Sequence, residues 1–374
     1  MPFTGKAVYD DGVFDDIAED VADLIGIISP KETPLLDALP MAERPAQHVL
    51  HEWMEDALAP HTVTSSTAVA STTAASSVEV HDGAGGAAAA YLQVGDILEF
   101  ASGEQVQISG ISGNYLSLSR AFGGTSATSY DAGVVIDVVG SAALEGADVS
   151  VDTSRPRTRR QNYCQLIKKD VIISGTARAM RYLGGVSDEF ELQKAKKVAE
   201  ALRDLERLVI RGRTSGNSLG SASNYRTMDG LLARITTNVT STGTLTPSIL
   251  NDIVKSAWNK GGQPDLIVAD ANWKALIDQF NATDRRVMNK DEDFHQKISV
   301  YESTFGLQRV MLNRWMPANT LLVLDSSKVK VVPLQGRSFR VEGVAKTGDA
   351  DKAMVLGEYT LEIWNEDAMA AAHD

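Results

Sequence analysis

The chain of 374 residues has a single cysteine, Cys164. No intramolecular disulfide can form, which fits a reducing compartment such as cytosol. No histidine or second cysteine is grouped around Cys164, so a small buried side chain is expected there rather than a nucleophile. Long apolar runs are also missing. None approaches the ~18 residues that a membrane-spanning helix requires, and no membrane contact is expected. The opening stretch MPFTGKAVYDDGVFDD has no basic region followed by an apolar core, so it does not read as a secretory signal. Positive charge is in deficit, with a formal net charge of −13. Phosphate contacts need Lys and Arg in excess, so recognition of a nucleic-acid sequence is not expected.

Catalytic signatures are absent too. No Gly-Lys-Ser/Thr follows a glycine at phosphate-loop spacing, and DGAGGA and FGGTSA read as turns. No G-x-S-x-G elbow occurs. His48 and His51 lie three apart beside Glu52, but not in the order of a zinc-binding helix. DEDFH at 291–295 and DADK at 349–352 lack the glycine and closing glutamate of a calcium loop. No catalytic residue, cofactor or metal site is therefore expected. A chain this long with six histidines and no such motif is expected to act through its surfaces.

What is present is an ordinary soluble composition, 43% hydrophobic and 23% charged, and enough length for two or three domains. Val13, Ile17, Val21, Leu24 and Ile28 form an apolar stripe opposite a crowd of Asp and Glu, which predicts a helix over 10–29. Pro30, Pro34, Pro40 and Pro45 follow and predict an extended arm, because proline blocks both helix interiors and central strands. The arm carries Leu35, Leu36 and Leu39, for which another subunit is the natural burial place. Residues 61–90 contain no Lys or Arg and are nearly all small, so they read as linker or poor strands. VGDILEF, EQVQISGI, YLSLSRAF and GVVIDVV then predict a small β-roll over about 91–140.

Arg155, Arg157, Arg159 and Arg160 crowd the next segment. They read either as a nucleic-acid patch or, better given the acidic total, as a solvated strand pairing with acidic residues of this or a neighbouring chain. Residues 187–213 predict one long helix, with Ser187 as cap and Val198, Leu202, Leu205 and Val209 as its apolar stripe. Its length would be about 35–40 Å. Arg211 and Arg213 suit its C-terminal end, and Gly212 could take a left-handed exit conformation. Thr246 and Pro247 open a second helix stopped at Gly261, PDLIVA is a short buried strand, and DANWKALIDQF is a third helix. The last hundred residues read mostly as strands. The fold class is α+β.

In this order, the pieces resemble the major capsid (major head) proteins of tailed bacteriophages, and more particularly the SU-ten-like major heads. The resemblance rests on ISPKETPLLDALP and HEWMEDAL in the arm, LQVGDILEF and LSRAFGGTSA in the β-rich part, and ALEGAD. It continues through RTRRQNYCQL, LRDLERLVIRGR, RTMDGLL and VAKTGDADKAMVLGEYTLEIWNED. It implies the tailed-phage capsid fold. That fold divides the chain into an N-terminal arm (1–60), an extended loop with the β-roll (61–165), a peripheral domain with the spine helix (166–236), an axial domain (237–319) and closing strands of the peripheral domain (320–374). It also implies a non-enzymatic, self-assembling homo-oligomer. Hexamers and pentamers would build an icosahedral shell around phage DNA, made in the host cytoplasm and ending in the virion. Scaffolding, portal and decoration proteins are the further partners it implies. The acidic total would leave a DNA-facing wall repulsive rather than adhesive. Subunit-contact candidates are Leu35, Leu36, Leu39, Trp53, Arg155, Arg157, Arg159, Arg160, Glu189, Arg203, Glu206 and Arg207. The rival readings are an encapsulin-like compartment shell and a phage surface or tail binding module built on the β insertion.

Overall fold

The computed structural model describes residues 32–70, 76–81, 88–148, 152–180, 188–214, 219–280, 299–346 and 348–374. The helix expected over 10–29, Ser187 as a cap and the DEDFH segment lie outside them. The chain divides into two units, one made of residues 54–160 and the other of the residues flanking them.

The arm is not wholly extended. Pro34 sits at the first position of a short helix, α1 (Pro34–Ala38), where its missing N–H costs nothing. Strand β1 (Leu50–Glu55) follows. The inserted unit then forms a closed barrel from β2 (Thr62–Ser65), β3 (Ser76–His81), β4 (Asp96–Phe100), β5 (Gln105–Ser112), β6 (Tyr115–Ser119) and β7 (Val135–Ser141). Around the barrel the order is β2-β3-β6-β5-β4-β7. Alternate residues point inward, as the pleat requires. Val63, Val78, Val80, Leu98, Phe100, Val106, Ile108, Leu116, Leu118 and Ile136 fill the interior. The four strands expected over 91–140 are present, but closure needs two more from the stretch read as linker or poor strands. Val63, Val78 and Val80 are the reason. Their neighbours along the strands are Ser, Thr, Glu and His, so the hydrophobic alternation is faint until partner strands complete the ladder.

Strand β8 (Thr158–Tyr163) pairs with β1 in a two-stranded ribbon. Strand β9 (Gln165–Ser174), the short helix α2 (Gly175–Ala179), the long helix α3 (Glu189–Arg211) and the single turn α4 (Leu231–Arg234) come next. They are followed by β10 (Val239–Ser241), α5 (Pro247–Asn259), β11 (Leu266–Ala269), α6 (Ala271–Phe280), β12 (Ser299–Ser303) and β13 (Gly306–Leu312). The chain closes with β14 (Thr320–Leu324), β15 (Val329–Pro333), β16 (Arg340–Val344), β17 (Ala350–Ile363) and β18 (Ala370–His373).

The closing strands divide between two sheets instead of forming one set. β17 pairs along its whole length with strand neighbours, β9 on one edge and β15 and β16 on the other. β14 and β18 belong to a six-stranded sheet ordered β10-β18-β14-β11-β13-β12. Both faces of that sheet are covered, which explains why β11 and β14 read as unbroken apolar runs. Leu266, Val268, Leu322 and Leu324 join the core under α3, whereas Ile267, Ala269, Leu321 and Val323 join the core under α5 and α6. Helix α5 has the expected cap, with Thr246 Oγ1 accepting from Ile249 N at 3.3 Å.

Candidate assembly surfaces

Helix α3 begins on Asp188, whose carboxylate accepts from Phe190 N at 2.8 Å. Arg178 holds that cap to the sheet by donating to both Asp188 (3.2 Å) and Asp351 (2.5 Å). The buried face of α3 differs from the expected stripe. Ala201, Leu205, Val209 and Ile210 are buried and Val198 packs against them, but Leu202 is 38% exposed. Gly212 leaves the helix in an extended conformation, φ −51° and ψ 145°, not the left-handed one. Its lack of a side chain matters for another reason. A Cβ there would meet Leu208 O at 2.6 Å and Met228 O at 2.7 Å, because Gly212 packs back to back with Gly230.

On that buried face sits Glu206, completely inaccessible to solvent. Its carboxylate accepts from Leu35 N and Leu36 N at 2.9 Å each, and from Asn313 Nδ2 at 2.5 Å. The first N–H groups of a helix have no partner within it, so an acidic group from elsewhere satisfies them and gains from the positive end of the helix dipole. Glu206 thereby clips α1 to the spine. Burial pushes its pKa up, against the pull of the Leu35 and Leu36 N–H groups and Asn313. Leu35 and Leu39 enter the core beside Leu205 and Val209 with Leu36 packed against its margin. The arm leucines therefore bury in their own chain. The expectation that they need another subunit is corrected, since an intramolecular groove and an acidic clip already hold them.

Three arginines climb the next face of α3. Arg203 and Arg207 lie 6.0 and 5.8 Å from the Trp315 ring centre, and Arg211 Nε donates to Trp315 O at 2.7 Å. Trp315 Nε1 donates to Glu32 O at 3.0 Å, anchoring the described start of the arm. Trp315 and Asn313 were not singled out from sequence. Nothing around them repeats, and only the fold brings their loop to the helix.

The arginine-rich segment is a solvated, ion-paired strand. Arg157 Nε reaches Asp56 at 3.3 Å and Arg160 Nε reaches Glu55 at 3.1 Å. Arg155 donates to Leu58 O at 3.1 Å and lies over the Tyr91 ring. Arg159 is exposed on the same strand. Of the remaining candidates, Trp53 is buried, and Glu189 accepts from Gln193 in the first turn of α3. Thus Leu35, Leu39, Trp53 and Glu206 are occupied within the chain, while Arg155, Arg157, Arg159, Arg160 and Arg207 keep exposed surface. Cys164 is fully buried, and burial pushes its thiol up to about 11, which removes it as a nucleophile at neutral pH.

The barrel has its own fixed charge. Glu104 is 1% exposed and receives both Nε and Nη2 of Arg120 at 2.7 Å, with Thr128 N at 3.0 Å and Tyr130 OH at 3.1 Å. Arg120 also donates to Ala70 O (2.7 Å) and Thr128 O (2.6 Å). Burial alone would raise the carboxyl's pKa, but Arg120 and the backbone donors carry it down to about 2. The ring of Tyr130 stacks on Phe100 at 4.0 Å, so the network ties the segment after β6 to the barrel core.

A long spine helix, an arm clipped beneath it, two sheets sharing its core, and a closed barrel inserted in the sequence between arm and spine make up the described chain. The chain matches the SU10 major capsid protein family over residues 3–374 and belongs to it. Among solved structures, the capsid of a native GTA particle is 10% identical, with a TM-score of 0.55 and 99% of each chain covered. The cyanophage A-1(L) capsid is 11% identical, with a TM-score of 0.53, covering 96% of this chain and 97% of that one. At these identities the likeness is one of fold. No curated protein sequence matches. The protein is thus a structural bacteriophage major capsid protein, a homo-oligomeric component of the virion's head shell.

Proposed function

We propose that the chain assembles into hexamers and pentamers that close an icosahedral head around phage DNA, in the host cytoplasm, with scaffolding, portal and decoration proteins as partners. The observation that carries this reading is that the family match runs through arm, barrel, spine and closing strands alike. In this reading the sheet flanked by α5 and α6 is the axial domain, and α3 with the β9–β17 sheet is the peripheral domain. The ribbon and barrel form the extended loop. Exposed Arg155, Arg157, Arg159 and Arg207 with half-buried Glu189 and Arg203 are the contacts we assign to neighbouring subunits, where a standard pairwise interface buries about 1,600 Å². Negative-stain electron microscopy and sedimentation of the purified protein, alone and with its scaffold, test it. Rings, capsomers or shells are expected. A monomer persisting at high concentration across all salt conditions would overturn the proposal.

A further inference from the structure

The β12–β13 hairpin is patterned inside out. Tyr301 and Val310 face the core under α5 and α6, so Gln308, opposite Tyr301 in register, faces it too. Gln308 is fully buried, and neither its Oε1 nor its Nε2 has a hydrogen-bond partner among the described residues. An amide buried in this way costs stability. The other face of the hairpin carries Val300 and Glu302 of β12 with Arg309 and Leu307 of β13 opposite them in register. Val300 is 47% exposed and Leu307 60% exposed. A shift of register by one residue would exchange the two faces, and the fold does not make it. Such a conflict is expected where an exposed apolar surface is used. β12 is also the last strand of the six-stranded sheet, with its outer edge unpaired among the described strands. It contains neither Lys nor Pro, which commonly blunt a free edge.

The same rim carries a complement on the opposite side of the sheet. Helix α5 turns Ile253, Val254 and Ala257 into the core and leaves Lys255 and Trp258 outside, three apart and so neighbours on the helix surface. Trp258 is 52% exposed, and its ring centre lies 5.5 Å from that of Phe305 in the hairpin turn. Glu302 and Lys255 are exposed, and neither forms an ion pair among the described residues. Arg309, by contrast, is held by Asp265 at 2.9 Å. One face thus offers two apolar side chains and a carboxylate, and the other an aromatic ring and an ammonium. The sheet lies between them, so they cannot meet within one chain. A second copy brings them together head to tail, and repetition of such a contact can close a ring. We propose that this rim is a contact between copies of the chain, with Val300, Glu302 and Leu307 of one against Lys255 and Trp258 of the next. The proposal rests on the chain forming a shell of like copies.

Cross-linking of the full chain with a short bis-maleimide tests it. The native thiol of Cys164 is fully buried and its pKa is pushed up to about 11, so only introduced thiols react at neutral pH. The double variant Glu302→Cys/Lys255→Cys should give a ladder of covalent oligomers, and each single variant should give none. Both positions are exposed, so melting temperatures should match wild type. A charge swap provides the second arm. Glu302→Lys and Lys255→Glu should each raise the concentration needed for half assembly about tenfold, and the two together should return it to near the wild-type value. Cross-linked dimers from a single variant would overturn the proposal, since each face would then meet its own counterpart. So would wild-type protein that assembles while the double variant gives no ladder, or a charge swap that fails to rescue. Wild-type protein that stays monomeric in sedimentation would instead overturn the shell reading, and this contact with it.

Discussion

Glu104 in the barrel and Glu206 in the helix–sheet unit are carboxylates with at most 1% of their surface exposed, and the two units hold them in opposite ways. Glu104 in the barrel meets a guanidinium head on, and its pKa falls to about 2. Glu206 in the spine meets only N–H groups from backbone and amide, and burial pushes its pKa up. The first is an ion pair within a short stretch of chain; the second joins residues about 170 apart in sequence. In the barrel, losing either partner would leave the other charge buried and unpaired. A spine that must seat an arm uses a long-range acceptor instead.

Truncation breaks the comparison most severely. Removing residues 1–31 should leave the melting temperature of both units close to wild type. Removing 1–45 also deletes Leu35 and Leu39 and should cost the helix–sheet unit at least about 4 kcal/mol, at 2–5 kcal/mol per buried leucine. Circular dichroism melts of the two truncations check this, with barrel amide protection expected to survive in both. Arg120→Ala comes next. It leaves Glu104 buried without its cation and should cost the barrel about 3–5 kcal/mol. Hydrogen exchange should rise across residues 96–138 and stay slow across 190–210; equal loss in both would show that the units do not unfold separately.

Acid separates the two carboxylates by sign. The folded pKa of Glu104 lies below its unfolded value, so its contribution is complete above about pH 4.5 and is lost as pH falls toward about 2. That contribution is roughly 3 kcal/mol. Glu206 has a raised folded pKa, so its ionisation costs stability as pH rises through that value, and the cost vanishes in acid. Melting Glu104→Gln and Glu206→Gln against wild type from neutral to acid pH should show the first difference shrinking as pH falls and the second moving the opposite way. At neutral pH Glu206→Ala should cost about 1–3 kcal/mol, because Leu35 N and Leu36 N are left without an acceptor. Glu206→Gln keeps one carbonyl oxygen for them and should cost less; thermal denaturation of both variants checks the order. Arg157→Ala should change melting within error, since its pair with Asp56 is well exposed.

Much of the fold was legible because its signals are local. Thr246, Pro247 and Gly261 bound α5, and the alternation in YLSLS and DILEF marks barrel strands from within five residues. The resemblance of arm, spine and closing motifs also pointed to the capsid family. The candidate surface was legible only in part. Arg157 and Arg160 read correctly as solvated ion-pairing residues because an acidic chain supplies partners close by. Glu206 read as a subunit-contact candidate, in keeping with charged residues on a polar helix being mostly exposed. Its burial depends on Leu35, Leu36 and Asn313, none of which lies near it in sequence.

The sequence by itself determined the helices α3, α5 and α6, the strands β4 to β7, and the acidic charge balance. It did so because capping, proline geometry and hydrophobic period act over a few residues. Tertiary structure alone decided that Ser- and Thr-rich β2 and β3 close the barrel, that β14 and β18 leave the other closing strands for the six-stranded sheet, and that the arm leucines bury at home. Those outcomes depend on which distant surfaces remain to be covered once the local elements exist, and on hydrogen-bond partners that only the assembled chain presents.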